Sequence, residues 1–346
     1  MRVGIDGKCL LGPPGGVGRY LQGLLAGCEV VSHPDVELEV LDPGRSRRTL
    51  PWVLLDLQRA TARGFDVFHF PFYYPPLWPR CPVTIAIHDL LVLEHPEWFP
   101  RVWANPMRQL VPRGARNAAA VVTDSACVAN AISERLGVAR ARIHLTGCGV
   151  DRRRFARPSP EHVAAVRTRL ELAHPFLLQL GALEPRRGVD LSIAATRELR
   201  GRFGELELVL VGGVRAPVRD LAGAPPWVRR LDGVDDALLP ALFAAAEAVL
   251  APSRGEGFDL PVLEALACGA VVVASDIPVH REHFAAAVEL FASGDAEALA
   301  AAIVTVLEDS ARASSLRAAG PHLASGFTWE EVARRHLEVW RSVGGR

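Results

Sequence analysis

Two stretches concentrate side chains suited to binding anions and hydroxyl groups. In the first, Gln179-Leu180-Gly181-Ala182-Leu183-Glu184-Pro185-Arg186-Arg187-Gly188-Val189-Asp190, two adjacent arginines follow an apolar run. Such a pair can clamp a diphosphate with bidentate, charge-assisted bonds. A merely solvated pair is disfavoured, because positive charge at a helix start opposes the helix dipole. The second stretch runs from Ala248 through Glu256-Gly257-Phe258-Asp259-Leu260-Pro261 to Glu264. Pro261 suits the first helical position, so Glu264 is expected in the first turn and Glu256 in the loop before it. Both carboxylates would then lie at the carboxyl end of a strand, where open α/β sheets hold ligands, and both can accept hydrogen bonds from sugar hydroxyls. Spacing alone leaves an equal alternative, with Glu264 answering the helix dipole and Glu256 solvated.

A third stretch, Gly12-Pro13-Pro14-Gly15-Gly16-Val17-Gly18, follows the first strand and opens a helical pattern. Glycines let backbone N–H groups approach a phosphate at a helix N-terminus. The third glycine of a dinucleotide fingerprint is missing, which argues against a nicotinamide oxidoreductase. A plain glycine turn explains the segment equally well.

The elements that must position these residues are short apolar runs alternating with helical patterns. Strands are expected at 2–5, 37–41, 66–69, 83–87, 120–123 and 142–145, then at 176–180, 206–211, 248–251, 271–274 and 288–291. Continuous apolar runs suit parallel strands covered on both faces, and the β/α alternation suits doubly wound sheets. Helices are expected at 126–135, 238–247 and 296–308. A last helix over 328–343 opens with Thr328 and Glu331 at capping-box spacing. The proline-rich segment 151–175 is the boundary between two α/β halves.

The chain has 346 residues, 39 basic and 39 acidic, so bulk charge does not drive nucleic-acid binding. Lys8 is its only lysine. Six scattered cysteines include no C-x-x-C pair, as expected of reduced thiols in a cytoplasmic protein. No apolar run is long enough to span a membrane, and no signal-peptide pattern follows Met1. The acids Asp232, Asp235 and Asp236 suit a loop and a helix start better than a metal site.

With these segments in view, the chain resembles the retaining GT-B glycosyltransferases of family 4, also called glycosyl transferases group 1, and among them bacterial mannosyltransferases. Glu256 to Glu264 is similar to the family's E-x7-E signature, and residues 180–190 to its G-x-x-E-P-R-K-N-x-D segment. Gly147-Cys148-Gly149-Val150-Asp151 resembles its N-G-V-D segment, and His88-Asp89 its H-D pair. The resemblance implies two Rossmann-like domains facing each other across a cleft. They would be an acceptor-side domain, 1–155, and a nucleotide-sugar domain, 156–326, with a helix at 327–346 crossing back to the first. It also implies roles: Glu264 on the ribose, Glu256 on donor-sugar hydroxyls, Arg186 and Arg187 on the leaving diphosphate, and His88 beside the donor sugar. Gly15, Gly16, Val17, Gly181, Phe258, Asp259 and Leu260 would line the donor. No cofactor or metal is expected. Three departures stand out: Arg187 in place of lysine, Gly188 in place of asparagine, and Asp259 in place of a small residue. Asp259 either answers the helix N-terminus or reads a donor hydroxyl or amine.

The expected activity is transfer of a hexose, with GDP-mannose favoured and a UDP-sugar next, to a glycan, glycolipid or small-molecule hydroxyl. The alternative is a related nucleotide-sugar-binding or epimerising protein without transfer activity. On the acceptor side, ten of the 23 aromatic residues fall within 65–103. Tyr73, Tyr74 and Asp89 are the candidates there. Arginine clusters at 45–48, 113–116 and 152–154 suit solvated faces better than peripheral contact with an anionic membrane.

Overall fold

In the computed structural model the apolar runs form two six-stranded, wholly parallel sheets. The structure describes residues 1–11, 15–31, 33–42, 56–75, 78–216, 218, 221 and 223–345. Gly12, Pro13, Pro14 and the arginine cluster at 45–48 lie outside them. The chain divides into two units, Met1–Gly149 with Phe327–Arg346, and Val150–Gly326.

The first unit runs β1 (Arg2–Asp6), α1 (Gly16–Val30), β2 (Glu37–Leu41), α2 (Leu57–Ala60), β3 (Val67–Phe70), β4 (Val83–Ala86), α3 (Leu91–Glu94), α4 (Arg101–Asn117), β5 (Ala120–Thr123), α5 (Ala126–Leu136) and β6 (Ile143–Leu145). Its strand order is β2-β1-β3-β4-β5-β6. Winding therefore reverses between β1 and β3, with Val3 opposite both Leu38 and Val67. Every residue of β3, β4 and β5 is buried, which explains their unbroken apolar sequences.

The second unit runs α6 (Pro160–Arg169), β7 (Phe176–Leu180), α7 (Val189–Phe203), β8 (Glu207–Val211), β9 (Val228–Leu231), α8 (Leu239–Ala245), β10 (Ala248–Ala251), α9 (Leu260–Ala267), β11 (Val272–Ser275), α10 (Pro278–His283), β12 (Glu289–Phe291), α11 (Ala296–Glu308) and α12 (Ser310–Ala324). Its strand order, β9-β8-β7-β10-β11-β12, is the doubly wound 3-2-1-4-5-6 arrangement. The reversal falls between β7 and β10, the strands that carry the two motif stretches. Sequence pattern misses β9, whose Val-Arg-Arg-Leu is a half-exposed edge strand without an apolar run.

The last helix, α13 (Trp329–Gly344), packs on α1 of the first unit. Val332, Ala333, His336, Leu337, Val339, Trp340 and Val343 form its buried stripe at helical spacing. Thr328 Oγ1 accepts the Glu331 N–H at 3.3 Å, the expected cap. The helices approach closely because α1 carries glycines at the contact. A Cβ on Gly23 would lie 2.0 Å from the Trp329 ring, and one on Gly27 2.2 Å from the Trp329 carbonyl oxygen.

Candidate active site

The arginine turn is built against the loop that follows β10. After β7 the chain turns at Gly181 (φ 134°), forms a single 3-10 turn over Pro185–Arg187, and leaves it through Gly188. Gly188 has φ 65°, and a Cβ there would lie 2.1 Å from the Pro252 carbonyl oxygen, so glycine meets both backbone and packing demands. Arg254 stitches the two loops together. Its N–H donates to the Arg186 carbonyl at 2.7 Å, and its Nη1 donates to the Pro185 carbonyl at 2.7 Å. Its guanidinium also makes a bidentate pair with Asp190, at 3.0 and 2.7 Å.

On this frame the two motif stretches meet. Arg186 reaches Glu184 Oε1 at 2.7 Å and Glu256 Oε2 at 2.9 Å. Arg187 reaches Glu256 Oε1 at 3.0 Å and Asp259 Oδ1 at 2.9 Å. The Glu256 side chain is only 6% exposed, so it is not a solvated loop acid. Glu264 is 5% exposed in the second turn of α9, not the first, too far along to serve as a dipole-answering acid. The arginines occupy the 3-10 turn immediately before α7, only 16% and 15% exposed and paired with acids, so they are not a solvated pair at a helix start.

Asp259 occupies the N-cap position of α9, yet its side chain makes no capping bond. Its φ is 78°, uncommon for a residue with a Cβ although more accessible to Asp than to most. Oδ2 instead accepts from His280 Nε2 at 3.1 Å. Burial raises the Asp259 pKa, but Arg187 and His280 outweigh it and hold the carboxyl well below its ordinary value. Among the other expected donor-side residues, Gly181 lies beneath the Arg187 guanidinium, where a Cβ would sit 3.5 Å from its central carbon. Phe258 is buried against His283 and Phe284, at centroid distances of 4.8 and 5.5 Å, and Leu260 is also buried. A small cavity beside Arg187 and Asp259 is also lined by Gln179, Ser253 and Pro261.

In the first unit, β4 delivers His88. Its Nδ1 donates to Asp124 Oδ2 at 2.6 Å and its Nε2 faces the Pro71 carbonyl at 3.3 Å. Two acceptors on one ring require both N–H groups. Burial pulls the His88 pKa down, but Asp124, Asp89 and the Pro71 carbonyl carry it above its ordinary value. The Tyr20 ring meets His88 edge-on at 4.6 Å, and its hydroxyl donates to His336 Nε2 at 2.7 Å. Asp89 Oδ1 accepts the Leu91 N–H at 3.0 Å, shaping the entry to α3.

Gly15 is the N-cap of α1 without a side-chain cap, Gly16 is exposed with open space at its Cβ position, and Val17 is half-buried. Tyr73 does not form an open aromatic wall. It is 5% exposed in the core, 4.3 Å from Phe72 and 6.4 Å from Trp103 between centroids. The cause is its place after the buried β3, where the core extends into the loop. Tyr74 is half-buried against the same cluster, and burial pushes its hydroxyl pKa up.

Sequence pattern misses Asp124, His280 and Arg254. Asp124 had one signal, an acid directly after an apolar strand; His280 had none. Asp235 caps a short turn, Asp236 pairs with Arg154 at 2.7 Å, and Asp232 pairs with Arg230 at 2.8 Å. Among the described residues no group of three His, Cys, Asp or Glu side chains is placed to hold a metal ion. No described helix is long and apolar enough to cross a membrane.

Two parallel doubly wound units, one carrying arginines and acids at its switch point, define the GT-B class of glycosyltransferases. The profile described as "Glycosyl transferases group 1" matches residues 174–309, and that of "Glycosyltransferase Family 4" matches residues 14–154. D-inositol 3-phosphate glycosyltransferase 1 of Catenulispora acidiphila is 30% identical over 287 residues, 77% of this chain and 68% of that protein. O-antigen chain mannosyltransferase B of Escherichia coli is 27% identical over 285 residues, 80% of this chain and 74% of that protein. The crystal structure of Anabaena HepE with UDP-glucose has a TM-score of 0.76 at 21% identity, covering 99% of both chains. The chain belongs to glycosyltransferase family 4, the glycosyl transferases group 1.

Proposed function

We propose that this glycosyltransferase moves a hexose, with retention and without a metal, from a nucleoside-diphosphate sugar to a hydroxyl of a glycan, glycolipid or small molecule. GDP-mannose is the favoured donor and a UDP-sugar the next. The observation that carries the reading is the arginine pair held by Glu184, Glu256 and Asp259 at the β7–β10 switch point. Asp259 accepts from Nη1 of Arg187 while Glu256 faces Nε as an ion pair, and a guanidinium carries five N–H donors, enough to meet a phosphate oxygen as well. Donors fixed before the reaction stabilise the charge that develops as the diphosphate leaves. Glu256 holds both arginines and takes donor-sugar hydroxyls on its remaining lone pairs, while Glu264 binds the ribose. Support for the donor class comes from HepE, described with UDP-glucose, and for mannose from the Escherichia coli relative, a mannosyltransferase. Retention rests on the family resemblance.

The test incubates the protein with GDP-mannose and UDP-glucose, with and without candidate acceptors, and measures free nucleoside diphosphate. Release that depends on an acceptor, with an α-linked product by NMR, is expected. Tight nucleotide-sugar binding without acceptor-dependent release would leave the binding or epimerising alternative in its place.

A further inference from the structure

Asp259 sits where a left-handed backbone makes glycine the easy residue, and its carboxylate ignores the helix it heads. A conformation that costs energy and persists points to what the side chain does. Here it joins two cations. Oδ1 takes Arg187 Nη1 at 2.9 Å, and Oδ2 takes His280 Nε2 at 3.1 Å. His280, wholly buried, turns its other nitrogen, Nδ1, to the Ser275 carbonyl at 2.9 Å. Nε2 faces a carboxylate and Nδ1 a carbonyl oxygen, and the Ser275 hydroxyl, 3.5 Å from Nδ1, gives its own hydrogen to the Ser253 carbonyl, so every acceptor around the ring is met when both ring nitrogens carry a hydrogen.

The charges then balance. Glu184, Glu256 and Asp259 supply three negative charges, and Arg186, Arg187 and His280 supply three positive ones. Without the His280 proton, the cluster would carry a net negative charge where a diphosphate has to dock. A carboxylate so close to an anion site would repel the ligand, but this one is answered from behind. It has both oxygens engaged and grips the guanidinium by one edge. The floor beneath Arg187 is Gly181, and Gln179 Nε2 donates to the Arg187 carbonyl at 2.7 Å.

We propose that His280 and Asp259 are positioning residues that lock the Arg187 guanidinium in the orientation needed to receive the departing diphosphate, with His280 cancelling the charge that Asp259 brings. The proposal rests on the donor reading above for its catalytic consequence, but the locking of Arg187 is a property of the protein alone.

Two measurements separate these. In the 15N–1H spectrum of arginine-labelled protein, the slowly exchanging Nε–H signal lost in Arg187→Lys identifies Arg187. This signal is expected in the wild type and expected to broaden or vanish in both Asp259→Asn and His280→Gln, with melting curves confirming that each variant is folded. A sharp signal that persists unchanged in both folded variants overturns the proposal, whatever the donor turns out to be. In steady-state assays both variants should lose at least tenfold in kcat while the donor KM changes less than threefold. Arg187→Lys added to Asp259→Asn should cost little more than either alone, because the two act through one guanidinium. Losses that multiply, or a kcat equal to the wild type's, also overturn it. A wild type that releases no nucleoside diphosphate from any donor, yet shows the locked signal, defeats the donor reading and leaves the locking intact.

Discussion

Glu264 is the residue on which the donor assignment is easiest to break. It is almost wholly buried in α9, and the ribose role proposed for it rests on the family resemblance. Glu264→Ala should weaken nucleoside-diphosphate binding by roughly 1.5–3 kcal/mol, the value of hydrogen bonds to a charged group. Calorimetric titration with GDP and UDP measures it, and unchanged affinity would remove the ribose role. At this scale the residue types of the site are legible in sequence, but their pairing is not. Arg186 and Glu256 stand 70 positions apart and meet at 2.9 Å because adjacent parallel strands end side by side. His280, further along and in no motif, is placed by the Ser275 carbonyl and the turn into α10, which no local pattern reports.

At the scale of elements, the turn between β7 and α7 depends on Gly188. Gly188→Ala would force a Cβ into the Pro252 carbonyl at a left-handed φ of 65°. Strain of that kind costs about 1–3 kcal/mol, so the melting temperature should fall and the arginine turn should shift with it. A variant as stable and active as the wild type would contradict the tight seating of that loop. The seating of α13 on α1 has a pH signature. His336 donates from Nδ1 to the Val332 carbonyl at 2.8 Å and accepts from Tyr20 at Nε2, an arrangement that needs a neutral ring. Burial lowers its pKa from 6.5 to about 4. The unfolded chain therefore binds the proton first, and stability present above 6.5 is lost as pH falls through about 4. The loss from this group amounts to about 3 kcal/mol. His336→Gln should flatten that part of the acid-stability curve; an unchanged slope would assign acid sensitivity elsewhere. Apolar runs and the Thr328 cap make most elements legible in sequence. The edge strand β9 is not, because two arginines and partial exposure erase its pattern.

At the scale of the whole chain, each unit has its own core. Leu41 through Ile143 supply one cluster and Leu177 through Leu316 the other. The strand alternation makes this doubling legible, but the winding orders come only from the sheets, and in the second unit they place the arginine and acidic loops at the reversal point. Separate cores give a calorimetric test of where the donor binds. A ligand that binds only the native second unit stabilises that unit, by about 2.7 kcal/mol at a hundred times its Kd. Adding GDP or UDP should therefore raise the transition to which residues 150–326 contribute, and tryptophan-specific probes at Trp227 and Trp329 can report the two units separately. The same experiment in EDTA carries the metal question. If Arg186 and Arg187 neutralise the diphosphate, chelation should change neither the shift nor the turnover. A shift abolished by EDTA and restored by one divalent ion would mean that the arginines, already held by three carboxylates, do not suffice, and that a cation supplied from solution completes the site.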